Sequence, residues 1–247
     1  MTGSLYGILV ACDKEMEWIL PWWWHHYTKH NKYPVVFVDL GMTETAKAWC
    51  RQRGKVVPLE CPKNLLIPRE LIAKEQIETW EKIYGDIAWH LREPWFRKPF
   101  AMLQTPFEVT IWTDLDCEVT GSLAPLFHKV HTHSGIAVAR ERRWTMEEAG
   151  YNSGVIVYRK DSPVLARWAE KCHLENDRYL GDQDVLTDII NSEHVEITEL
   201  SDLYNWRMKF GVNFEAVIIH WCGGWGKEII RRAIQNPSMT IFGDTGS

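Results

Sequence analysis

The apolar positions of this chain fall into short runs separated by amphipathic stretches. Residues 5–11 (LYGILVA), 34–40 (PVVFVDL) and 55–59 (KVVPL) are rich in β-branched residues and bounded by polar or turn residues, the composition of buried strands. Between them, residues 18–30 read as a helix that Pro21 either starts or kinks. Residues 43–53 read as a second helix, which Thr43 can cap and Gly54 can close. A β-α-β-α-β order implies parallel strands joined by right-handed crossovers. Ligands of such sheets bind beyond the carboxyl ends of the strands, and Asp13 stands at one such end.

The middle of the chain is punctuated by Pro62, Pro68 and Pro94, with helical periodicity over residues 70–84. Lys98-Pro99-Phe100 then opens a short helix with Pro99 in its first turn. Lys98 reads equally as a surface lysine or as a phosphate contact. The helix leads into residues 109–119 (VTIWTDLDCEV), an apolar strand that ends in Asp114-Leu115-Asp116. Side chains two apart on an extended segment share a face, so both carboxylates project together. At about 4 Å separation and an effective dielectric near 20, their repulsion is roughly 4 kcal/mol. Two solvated acids in a turn is the ordinary reading of Asp-x-Asp. The apolar lead-in and the residues downstream shift the weight toward a divalent cation.

Further strands follow at residues 134–139 and 151–158 (YNSGVIVY), the second opening with Asn152-Ser153-Gly154, either a turn or a ligand-facing polar group. Residues 161–175 form an amphipathic helix with Pro163 in its first turn. Gly181-Asp182-Gln183-Asp184 precedes an apolar helix at residues 185–190. Acids there ordinarily act as caps, but three adjacent polar side chains exceed what capping needs and suit a hydroxyl-rich ligand such as a sugar. The last strand, residues 216–220 (AVIIH), ends in His220, followed by Cys222-Gly223-Gly224-Trp225-Gly226-Lys227. A histidine closing an apolar strand is ordinarily structural. A Gly-rich turn and a lysine behind it bring backbone N–H groups and charge to phosphate oxygens. The P-loop spacing is absent.

Composition narrows the picture. The chain's 247 residues, 45% apolar and 25% charged, fit one soluble α/β domain over residues 1–247. A net charge of -5 leaves no basic footprint for nucleic acid. The six cysteines show neither CxxC nor zinc-like spacing, and read as reduced thiols of a cytoplasmic protein. The first apolar run is too short for a signal peptide, and no run spans a membrane. His128, His131 and His133 read as loop histidines. Of the fourteen tryptophans, Trp22, Trp23 and Trp24 are consecutive. All three cannot face one core, so this block is expected to border an acceptor groove or to make a peripheral membrane contact.

In their order, Asp114-x-Asp116, Asn152-Ser153-Gly154, Asp182-Gln183-Asp184 and His220-x-x-Gly223 with Lys227 resemble the GT-A fold glycosyltransferases, nearest the glycogenin-like and lipooligosaccharide galactosyltransferase group (family 8). The resemblance runs from the first strand to the C-terminal turn. It implies an α/β, Rossmann-like mixed sheet flanked by helices. It also implies transfer of a hexose, with retained configuration, from a nucleotide-diphospho-sugar, usually UDP-linked, to the hydroxyl of a glycan, lipid-linked or protein acceptor. The cofactor implied is Mn²⁺ or Mg²⁺, with Asp114, Asp116 and His220 as ligands. Asp13 would lie near the nucleoside, and Lys98, Gly223 and Lys227 near the diphosphate. Asn152, Asp182 and Gln183 would touch the transferred sugar, with Asp182 or Gln183 near the reacting face. The chain departs from the family pattern in placing Lys227 seven rather than six positions after His220. Two alternatives stand beside this reading. One is a haloacid-dehalogenase-like phosphatase, whose Asp-x-Asp normally lies near the N-terminus and is followed two positions on by Thr or Val, where this chain has Glu118. The other is a catalytically inactive nucleotide-sugar-binding protein.

Overall fold

The computed structural model describes residues 4–141 and 150–236. It opens with β1 (Tyr6–Cys12), α1 (Leu20–His30), β2 (Val35–Asp39), α2 (Glu44–Arg51) and β3 (Lys55–Pro58), the alternation the hydrophobic runs imply. Thr43 caps α2, its Oγ1 accepting from the Ala46 N–H at 3.2 Å. Next come α3 (Lys74–Tyr84), α4 (Ile87–Leu103), β4 (Val109–Thr113), β5 (Cys117–Val119), β6 (Ile136–Glu141) and β7 (Gly150–Arg159). The chain continues through α5 (Pro163–Leu174), α6 (Asp182–Ser192), β8 (Thr198–Leu200), β9 (Trp206–Arg207), β10 (Ile218–His220) and α7 (Gly223–Gln235). Among the described residues no helix is long and apolar enough to cross a membrane.

The main sheet has seven strands in the order β3-β2-β1-β4-β7-β6-β8. Its first half is parallel, as expected, but β7 runs antiparallel to both β4 and β6, so the sheet is mixed. The side-chain period of two sorts the strands onto two cores. Ile8, Val10, Ile111, Val155 and Val157 pack on the α1 side. Leu9, Trp112, Ile156 and Tyr158 pack on the opposite side with α4, α5 and α6.

Three expectations need correction. Lys98 and Pro99 do not open a helix; both lie deep in α4, which also contains Pro94. Each proline removes a helical hydrogen bond, but Ala88, Arg92, Phe96, Ala101 and Met102 bury one face, and packing of that face outweighs local propensity. The acids at 182–184 do not precede α6 but form its first turn, with Asp184 accepting from the Gly181 N–H at 3.1 Å. Strand β4 also does not carry Asp-x-Asp at its end as an extended segment. It breaks after Thr113, and β5 joins a separate sheet of order β5-β10-β9. A turn makes the break: after the last cross-strand bond, Asp114 N–H to Gly154 O at 2.8 Å, Cys117 N–H donates to Asp114 O at 3.1 Å.

The tryptophan block is mostly core. Trp22 and Trp23 are buried, which removes them from any surface contact, and Trp24 is half-buried against Phe37 and Trp49. One helical turn can place all three inward because neighbouring aromatic rings extend the core around α1. Trp23 stacks on Tyr27 at 5.1 Å, and its Nε1 donates to Thr113 Oγ1 at 3.2 Å, tying α1 to the end of β4. Trp23→Ala should therefore cost about 3–5 kcal/mol of stability, the range for truncating a buried aromatic. Urea unfolding followed by fluorescence of the remaining tryptophans measures it.

Candidate active site

The site lies where the main sheet meets the small one. β4 delivers Asp114 and Asp116 past its carboxyl end, and β10 returns antiparallel beside β5 with His220 opposite Cys117. Trp221 N–H donates to Asp116 O at 2.9 Å and fixes this register. The two halves of the motif therefore meet through backbone pairing that no local pattern encodes.

Asp116 and His220 face each other, with Oδ1 to Nε2 at 3.3 Å, and both are buried. The imidazole Nδ1 lies 2.9 Å from Asn205 Oδ1. Asn205 Nδ2 donates to Asn152 Oδ1 at 2.8 Å, so its oxygen is the acceptor left for the histidine. That assignment puts the imidazole proton on Nδ1 and leaves the Nε2 lone pair aimed at a carboxylate oxygen. Two acceptors that close are relieved by a cation beside them: Lys227 on the same carboxylate as the side chains stand, or a divalent ion between the two. An oriented imidazole with a fixed partner on its far nitrogen is also how metal-ligating histidines are held. The donor set thus fits a divalent ion.

Lys227 reaches the same carboxylate, Nζ to Oδ2 at 2.8 Å. Its seven-residue spacing is absorbed by α7, whose first turn is the Gly-rich segment itself. Gly223 sits at φ +81°, in the left-handed region that favours glycine, and Gly226 packs directly on the Trp221 carbonyl. Burial alone would raise the Asp116 carboxyl, but its cationic surroundings, the Lys227 ammonium among them, hold it well below the usual carboxylate range.

Lys98 is buried on the other side of Asp114. Its Nζ lies 3.0 Å from Asp114 Oδ1, 3.0 Å from Ser153 Oγ and 3.5 Å from Asp182 Oδ2. Burial opposes its charge, yet Asp114 and Asp182 hold the ammonium above its ordinary range. Ser153 Oγ donates on to Asp182 Oδ2 at 2.8 Å, while burial pushes the Asp182 carboxyl up. Asp114 also accepts from Trp112 Nε1 at 2.8 Å. The structure therefore brings Asp116, His220 and Lys227 into one group and Asp114, Lys98, Ser153 and Asp182 into an adjoining one. Asp114 is turned toward Lys98 rather than toward His220.

Asn152 adjoins the first group through Asn205. Its Oδ1 accepts from the Gly154 N–H at 3.0 Å, and its Nδ2 donates to Glu141 Oε2 at 2.8 Å and approaches Gln183 Oε1 at 3.4 Å. Asp13 stands apart from these residues in the hydrogen-bond network, beyond the end of β1, where its carboxylate accepts from the Met16 N–H at 2.8 Å. Asn205 and Cys117 escaped the sequence reading. Asn205 lies in an irregular segment without periodicity, and Cys117, adjacent to Asp116, was grouped with the structural thiols.

No protein-family model matches the chain, and no curated protein sequence does. Solved structures do match its fold. The glycosyltransferase GlyE of Streptococcus pneumoniae TIGR4 superposes with a TM-score of 0.61 at 14% identity, over 95% of this chain and 64% of GlyE. The galactosyltransferase LgtC, solved with donor and acceptor sugar analogues, gives 0.62 at 13% identity, over 96% of this chain and 98% of LgtC. Mouse xyloside xylosyltransferase 1 gives 0.55 at 19% identity, over 89% of this chain and 97% of that enzyme. The chain spans less than two thirds of GlyE but nearly all of the other two. The fold is that of the GT-A glycosyltransferases, the mixed α/β architecture expected.

Proposed function

We propose that this chain is a metal-dependent glycosyltransferase, moving a hexose from a UDP-linked or similar nucleotide-diphospho-sugar to an acceptor hydroxyl with retained configuration. The observation that carries the reading is the Asp116–His220 pair at 3.3 Å, with Lys227 on the same carboxylate, at the junction of two sheets in a GT-A fold. Asp116 and His220 would hold Mn²⁺ or Mg²⁺, joined by Asp114 if its carboxylate turns from Lys98. Bound there, a divalent ion supplies charge neutralisation for a leaving diphosphate. Lys227 contributes a fixed positive charge to the same leaving group. Asn205 keeps the His220 proton on Nδ1. Lys98 and Ser153 hold Asp182, and Asn152 and Gln183 present hydrogen-bonding groups to the sugar hydroxyls. Asp13, beyond the end of β1, would meet the nucleoside, since ligands of parallel strands bind past their carboxyl ends. The acceptor is a glycan, lipid-linked or protein hydroxyl. The six free thiols are in keeping with a reducing compartment, the cytoplasm. The fold likeness favours this reading over the phosphatase alternative.

A thermal-shift screen of nucleotides and nucleotide-sugars, with and without Mn²⁺, tests it. Stabilisation by UDP and at least one UDP-sugar only when Mn²⁺ is present is the expected result, worth about 2.7 kcal/mol at a hundredfold excess over Kd. Equal melting in every condition would count against it.

A further inference from the structure

Asp116 and His220 are not the only groups able to ligate an ion at this junction. The ligand atoms of Asp116, Cys117 and His220 all lie within 4.8 Å of one another, and all three residues are buried. Cys117 reaches this position because β5 and β10 pair antiparallel with Cys117 opposite His220. Its Sγ–H donates to the Gly154 carbonyl at 3.7 Å, a contact too weak to hold the sulfur against a metal ion. Gly154 leaves room on that side, since a Cβ there would collide with the imidazole. One oxygen donor from the turn before β5, one sulfur donor from β5 and one nitrogen donor from β10 converge.

We propose that Cys117 is a protein ligand of this metal centre, and that it biases the site toward borderline ions such as Zn²⁺ and Co²⁺ over Mg²⁺. The inference rests on reading the junction as a metal site, as above, but adds a ligand and an ion preference. Thiolate selects softer divalent ions, whereas carboxylate and water suit Mg²⁺ and Mn²⁺. Coordination breaks the S–H bond heterolytically. The electron pair forms the sulfur–metal bond, the proton leaves to solvent, and nothing is oxidised or reduced. A consequence is that Zn²⁺ would compete with Mn²⁺ for the centre.

The test uses the metal-free full chain under a non-thiol reductant, with Co²⁺ and Zn²⁺ as probes. Cobalt titration should produce a thiolate-to-cobalt charge-transfer band in the near ultraviolet. The band should persist in Cys222→Ser, which removes the nearest rival thiol beyond His220, and vanish in Cys117→Ser. Zinc affinity should fall at least about tenfold in Cys117→Ser while Mg²⁺ binding is unchanged. Absence of the band, its survival in Cys117→Ser, or its loss in Cys222→Ser would overturn the proposal. If Cys117→Ser does not fold, zinc-edge X-ray absorption on the Cys222→Ser protein decides. One sulfur scatterer at about 2.3 Å supports Cys117, and a shell of nitrogen and oxygen alone rejects it. Mn²⁺-dependent UDP binding is measured on the same preparations. UDP binding without the cobalt band would sink the cysteine ligand and leave the transferase reading intact. The band without UDP binding would keep the centre and remove the donor.

Discussion

Asp116→Ala should abolish Mn²⁺-dependent binding of UDP while leaving the fold intact. The carboxylate is touched by both His220 and Lys227, at 3.3 and 2.8 Å. Its loss removes an ion ligand and the anchor of the lysine together. Losing even an outer partner of a ligand costs about 10–100-fold in metal affinity, so losing the ligand itself should exceed that. The fold should survive because Lys227 is 30% exposed and can turn to water, and because the Trp221–Asp116 register bond uses the backbone. Calorimetry with UDP and Mn²⁺, beside circular dichroism, reads both halves. UDP affinity equal to that of the unsubstituted protein would defeat the assignment of Asp116.

Gly154→Ala should damage the same site from a distance in sequence. A Cβ at this position would overlap His220 Cε1 and lie only 2.5 Å from Nδ1, with Asn152 Oδ1 at 3.0 Å. Gly154 sits in β7, where a register shift frees it from β6 but its carbonyl accepts from the Asp114 N–H at 2.8 Å, so most of the overlap is relieved by the imidazole swinging away. That movement breaks the 2.9 Å contact with Asn205, which sets the tautomer. A loss of about 1–3 kcal/mol in stability is the usual cost of such overpacking. Metal-dependent UDP affinity should drop at least about tenfold as well. Wild-type melting and wild-type affinity in this variant would show that the imidazole position is immaterial.

These two positions also show how far the sequence can be read. Asp116 is visible because an apolar strand ends in an acid, and strand endings are local. The parallel half of the sheet is equally local, each strand being a short β-branched run. Gly154 is visible only as part of a polar tripeptide; its role depends on a histidine brought beside it by a second sheet. The same non-local pairing hides Cys117 and Asn205. Cys117 carries no spacing signal, yet its strand partner is His220. Asn205 sits between short irregular elements and acts only through His220 and Asn152. Lys98 was hidden differently. Prolines argue for helix boundaries, whereas α4 runs through two of them and carries Lys98 under Asp114 and Asp182. The tryptophan block misled because three adjacent large residues read as surface when the surrounding aromatic cluster can enclose them.

In the proposed reaction Asp116 and His220 grip an ion that in turn holds the diphosphate of a sugar nucleotide. Crystals soaked with Mn²⁺ and UDP, with diffraction recorded at the manganese absorption edge, test it most directly. The expected result is an anomalous peak in contact with Asp116 Oδ1 and His220 Nε2, with both phosphates of UDP in its coordination shell. UDP bound with no anomalous peak at these two side chains, or a peak elsewhere in the chain, would contradict it.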